Sequence, residues 1–102
     1  MSIKKKHQLE WYIKEADNVF WIGGDIDQSC VDDFCTVLGN IGKEKTINMF
    51  ALEIDEGACL AVVISALRRI APCTLIEAPK MLAHTLYKIN NKRIAIHDPR
   101  SY

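Results

Sequence analysis

The sequence predicts a single α/β domain built on a largely parallel mixed sheet, with its helices mainly on one face. Three observations predict it. The 102 residues are 49% hydrophobic and 25% charged with a formal net charge of zero, an ordinary composition for one globular domain with one core. From Thr46 to Ile54 the chain is apolar with little alternation, which predicts a central strand buried on both faces. After an Asp55-Glu56-Gly57 turn, Leu60, Val63, Ile64, Leu67 and Ile70 recur at helical spacing, one wide stripe suited to packing on a sheet.

The elements follow these two periods in order. Residues 1–7, with Lys4, Lys5 and Lys6, read as a flexible basic tail, residues 8–98 as the domain, and residues 99–102 as a C-terminal end. Leu9, Trp11 and Ile13 alternate with Glu10, Tyr12 and Lys14, the pattern of a half-buried strand. Ala16-Asp17-Asn18 is a turn, and Val19 to Ile22 is the returning strand of a hairpin. Gly23 and Gly24 are expected to end that strand and to bend the chain into a helix capped by Ser29, with Asp32 three positions on. Val31, Phe34, Cys35, Leu38 and Ile41 form the helix's apolar stripe, and Gly39 and Gly42 flank its end.

After the central strand and helix, Arg68 and Arg69 complement the helix dipole and Pro72 stops the helix. Cys73 to Glu77 reads as a short strand and Pro79 as a first helical position. Leu82, Leu86 and Ile89 give a narrower stripe, Asn90-Asn91 ends the helix, and Arg93 to His97 is a last strand broken by Asp98-Pro99. The order β-β-α-β-α-β-α-β predicts adjacent parallel strands joined by right-handed crossovers after the hairpin. Crossovers that all step one way place the three helices on one face and leave the other thinly covered.

Composition narrows function. A nucleic-acid binder usually carries a basic surplus, and this chain has 13 Lys and Arg against 13 Asp and Glu, so no nucleic-acid partner is expected. No apolar run approaches membrane-spanning length and no signal core follows the lysines, so the chain reads as cytoplasmic without direct membrane insertion. Cys30, Cys35, Cys59 and Cys73 lie within apolar periodic segments without ligand spacing, which suits small buried thiols in a reducing compartment. His7, His84 and His97 share no ligand spacing, and no nucleophile–base set is legible. No cofactor, no metal and no enzyme activity are expected.

Two stretches carry a resemblance to a known family. Val19-Phe20-Trp21-Ile22-Gly23-Gly24-Asp25-Ile26-Asp27 is similar to a strand ending in Gly-x-Leu/Ile-Asp before a first helix, and Ile54-Asp55-Glu56-Gly57-Ala58 sits where Asp-Ser-Ser-Gly or Asp-Ser/Thr-x-Gly precedes a second. With the element order from Leu9 to His97, they resemble STAS domains, the fold of bacterial anti-sigma-factor antagonists and of small subunits of certain ABC transporters. The resemblance implies a non-enzymatic regulatory protein-binding module. Its partner-binding or switch position would comprise Asp55, Glu56, Gly57 and Ala58, with Gly24, Asp25 and Asp27 on the neighbouring edge. The implied partner is a protein: an anti-sigma factor kinase or, alternatively, the ATPase of a phospholipid-trafficking ABC transporter. A homodimer is left open. The chain departs from the pattern at the switch, because aligning on Gly57 puts Asp55 and Glu56 at the two positions where a hydroxyl would be phosphorylated. Many members add a final helix after the last strand, and none is expected within the residues up to Tyr102.

Each site residue also has a plain structural reading. Asp55 suits a cap on the following helix, contributing roughly 1 kcal/mol, and a fixed charge there would mimic a phosphorylated residue incompletely. Ala58, Cys59, Ala61, Val62 and Ala66 are apolar off the main stripe, which suits either a partner surface or packing against neighbouring helices. Asp25 and Asp27 suit turn and capping positions. From a different class, Asp25, Asp27 and Asp55 at strand ends suit a magnesium-dependent aspartyl-phosphate site of the receiver type.

Overall fold

The computed structural model of the chain describes residues 11–55, 57–89 and 92–100. The expected basic tail (residues 1–7), Leu9, Glu56 and the Asn90-Asn91 helix end lie outside these residues. Two antiparallel strands, β1 (Trp11–Ala16) and β2 (Val19–Ile26), are followed by α1 (Val31–Leu38), β3 (Thr46–Ile54), α2 (Ala58–Ile70), β4 (Cys73–Ile76), α3 (Lys80–Lys88) and β5 (Ile94–His97). The sheet order is β1-β2-β3-β4-β5, with β2 to β5 parallel. Each crossover therefore moves one strand in the same direction, as the alternation of periods predicts.

Register separates the sheet into a covered and an open face. Phe20 aligns with Ile47 and Leu75, Gly24 with Leu52, and Ile26 with Ile54, on the face that packs under the helices. Ile22, Ile26, Ile47, Met49, Leu52 and Leu75 are at most 1% exposed there, against Phe34, Leu38, Val63, Leu67, Leu82 and Leu86 from the three helices. Trp11 meets Phe34 edge to face at 5.4 Å between ring centres, which ties the hairpin to α1. The alternate residues face out: Trp21 aligns with Asn48 and Ile76, Gly23 with Ala51, and Asp25 with Glu53. The central strand is thus buried on one face only, contrary to the reading of its apolar run. Its second face carries Phe50, Ala51 and Glu53, all exposed.

Two boundaries also differ from expectation. Gly23 and Gly24 do not end β2, which runs on to Ile26 and pairs on both sides. A side chain at Gly23 would lie 2.6 Å from the Tyr12 hydroxyl and 2.9 Å from the Ala51 Cβ, so the glycine makes room for a ring that crosses the open face. Helix α3 begins one residue after Pro79, and Ile89, expected in its buried stripe, is 40% exposed at the C-cap.

The strands are unequal, and Arg100 fills the gap. β4 aligns with β3 only over Thr46–Asn48, so among the described residues the second half of β3 has no neighbouring strand on that side. A bulge opposite Trp21 to Gly23 shifts the register there, and the Phe50 amide donates to the Asn48 side-chain oxygen at 2.9 Å. The Arg100 guanidinium, nearly buried, donates to the Met49 carbonyl (2.9 Å), the Leu52 carbonyl, the Glu77 carbonyl (3.1 Å) and the Glu53 carboxylate (3.1 Å). A rigid five-donor fork serves several fixed acceptors at once, and here it stands in for the missing strand.

Candidate binding elbow

The C-terminal ends of β2 and β3 bring the sequence-identified residues to one end of the sheet. The Asp55 amide donates to the Ile26 carbonyl at 2.9 Å, one step beyond the Ile26–Ile54 pair, so Asp55 still belongs to the strand end. Gly57 then turns the chain at φ +81°, ψ −129°, a conformation that only glycine adopts at low cost, and α2 starts at Ala58. Asp25, Asp55, Gly57 and Ala58 are exposed, and Gly24 and Asp27 are half-buried.

The expected caps are not formed. The N-cap position of α2 is Gly57, which has no side chain to offer, and among the described residues none hydrogen-bonds the Asp55 carboxylate. Asp55 lies too early in the chain for the cap position, because its backbone remains in the sheet, and its carboxylate faces solvent. At α1 the cap is Cys30 rather than Ser29, again with no side-chain bond. Asp27 organises that turn instead: its carboxylate accepts from the Ser29 amide (2.9 Å) and hydroxyl (2.6 Å), and its carbonyl accepts from the Cys30 (3.1 Å) and Val31 (2.9 Å) amides. The Ser29 hydroxyl and amide hold the Asp27 carboxyl below its usual range.

The elbow is electrically negative. Burial pushes the Cys59 thiol up, and Asp55, Asp27 and Asp32 add to the shift, which places three carboxylates from three segments around the start of α2. Sequence periodicity gave Asp32 a capping role only. Its place beside the elbow depends on how α1 lies against α2, and no local pattern encodes that. Among the described residues no three metal-ligating side chains converge, Asp25, Asp27 and Asp55 included.

Helix α2 carries the site away from the turn. Cys59 and Ala66 are buried, so these two small residues serve packing, whereas Ala58 and Ala61 are exposed and Val62 is half-buried. A groove of about 360 Å³ begins at Gly57 and runs along Leu60, Ala61, Ile64 and Arg68 towards Thr85 and Ile89 of α3. It is apolar along its floor with a cation at the far end. A second groove, about 290 Å³, lies between α1 and α2 beside Asp32, Cys35 and Arg69. Of the small off-stripe residues of α2, Ala61 lines the first groove and Val62 and Ala66 line the second, so the sequence pattern marked both only in part, and the Thr85 and Ile89 side of the first was not legible.

None of the four cysteines is in a disulfide, with Cys35, Cys59 and Cys73 buried and Cys30 half-buried. His84 and His97 are exposed on different elements. No described helix is long and apolar enough to cross a membrane. Compared with models of known protein families and with curated protein sequences, the chain matches none.

Proposed function

We propose that the chain is a STAS-like, non-enzymatic binding module that presents the elbow between β3 and α2 to a protein partner in the cytoplasm. The observation that carries the reading is Asp55: a carboxylate at the switch-like turn, exposed, and free of the capping role that would explain it as a structural residue. Gly57 holds the turn open, and the groove along α2 starts at the same residue. A fixed negative charge at this place suits a partner surface that is basic, and residues 55 to 57 hold no hydroxyl for a kinase to esterify. The partner is an anti-sigma factor kinase or, in the alternative, a transporter ATPase.

The test compares the wild-type chain with Asp55→Ala in crosslinking and capture from the native cell. Without a cap to lose, the variant should unfold within about 0.5 kcal/mol of wild type, while recovery of the partner falls about tenfold or more. Equal recovery by both chains removes the elbow from the contact. Incubation of the captured complex with ATP, followed by site mapping, should leave residues 55 to 57 unmodified. Sigma-factor regulators or transporter subunits among the captured proteins then separate the two partners.

A further inference from the structure

We infer that the open face of the sheet is where two copies of this chain associate, strands of one copy running antiparallel to those of the other. This inference goes beyond the elbow reading and does not rest on it. Parallel strands are ordinarily covered on both faces, and here four of them have helices on one side only. The uncovered side carries Tyr12, Trp21 and Phe50 at 45%, 39% and 58% exposure, with Ala51 on β3 and Ile76 on the next strand, β4. Large exposed apolar patches of this kind mark contact surfaces.

Charge decides what covers it. The end of the sheet where the parallel strands finish is acidic, with Asp25, Glu53 and Asp55 at the tips of β2 and β3. The end where they begin is basic on balance: Lys45, Lys92 and Arg93 line a hollow of about 520 Å³ with Thr46 and Thr74, and Lys14 of β1 aligns with Trp21, against Glu15 and Asp17 of the hairpin. Glu44 is the one carboxylate in that hollow's lining. A symmetric interface must complement itself, and a surface acidic at one end and basic at the other does so when one copy is inverted on the next. The zero net charge removes any long-range opposition between copies.

A two-fold axis across the middle of the face lays Trp21 of each copy against the Tyr12 ring that covers Gly23 of the other, and turns the Lys14 side of each copy towards the Asp25 end of the other. No partner for the Asp25 carboxylate is present among the described residues. Five strands of 6, 8, 9, 4 and 4 residues, about 4.8 Å apart and rising about 3.3 Å per residue, outline roughly 500 Å² per copy and roughly 1,000 Å² for two, the lower limit of a specific interface. A weak, salt-sensitive dimer is therefore expected.

Sedimentation equilibrium of the whole chain tests this at about 100 µM and low ionic strength, where a dimer of micromolar dissociation constant is expected. Trp21→Lys should weaken it about tenfold or more, and Tyr87→Lys, on the exposed side of α3, should leave it unchanged. Far-UV circular dichroism confirms that each variant is folded. Independently of Trp21, Asp25→Lys and Lys14→Glu should each weaken the dimer, and the double variant should restore it to within about threefold of wild type, since every cross-copy contact is then reversed together. A monomer at that concentration, which would leave the face to a different molecule, overturns the inference. So does a dimer indifferent to Trp21→Lys, or a double variant no stronger than its singles.

Discussion

Arg100 concentrates more of the fold's polar accounting in one side chain than any other described residue. Its guanidinium serves three backbone carbonyls and one carboxylate at the place where β4 falls short of β3. Arg100→Ala strands those carbonyls and should lower unfolding free energy by about 2–4 kcal/mol in urea titration. Arg100→Lys should recover less than half of that, because a compact ammonium cannot span acceptors arranged for a planar fork. Glu53→Gln should cost under about 1 kcal/mol, since the Glu53 side chain is 68% exposed and water screens the pair. None of this was legible in the sequence, where Asp98-Pro99 marked only the end of a strand. Asp55 illustrates the converse. Its position was legible from the strand–turn–helix pattern, but its cap was not formed, because a sheet hydrogen bond from its own amide keeps it outside the helix.

At the scale of elements, hydrophobic period revealed every strand and helix and their order, because each buries one face and that requirement is written locally. It misread what happens across elements. The unbroken apolar run of β3 resembles a strand buried twice, yet Phe50 sits at a bulge on the sheet's uncovered face and is exposed. The paired glycines of β2 resembled a strand end for a similar reason: Gly23 answers to Tyr12, on a different strand, and Gly24 takes φ +112°, which favours glycine. Gly23→Ala should therefore destabilise by about 1–3 kcal/mol, as overpacking does. Thermal unfolding of the cycle with Tyr12→Ala should show a coupling of at least about 0.5 kcal/mol, because the ring and the new methyl compete for one place.

Across the whole molecule, buried thiols set an alkaline limit. Burial pushes Cys73 up to about 11, and burial followed by the Asp32 charge pushes Cys35 up to about 11, from an ordinary value near 9. In the native state both hold their protons more tightly than in the unfolded chain. Their contribution is complete below pH 9 and is lost as pH rises towards 11, at about 1.4 kcal/mol per pH unit for each thiol. Urea midpoints at pH 8 and pH 10.5 should fall more steeply for wild type than for the Cys35→Ala, Cys73→Ala chain. Part of the molecule's charge distribution complements the helix dipoles: Asp32 and Asp33 lie in the first turn of α1, and Arg68, Arg69 and Lys88 lie in the last turns of α2 and α3.

The guanidinium wedge also dictates timing. Arg100 lies 51 positions after Met49, so during synthesis the second half of β3 must wait for half the chain to emerge before its carbonyls are matched. Until then that margin is an open seam beside an exposed Phe50, and a nascent chain held at this stage is the form most prone to sticking to its neighbours.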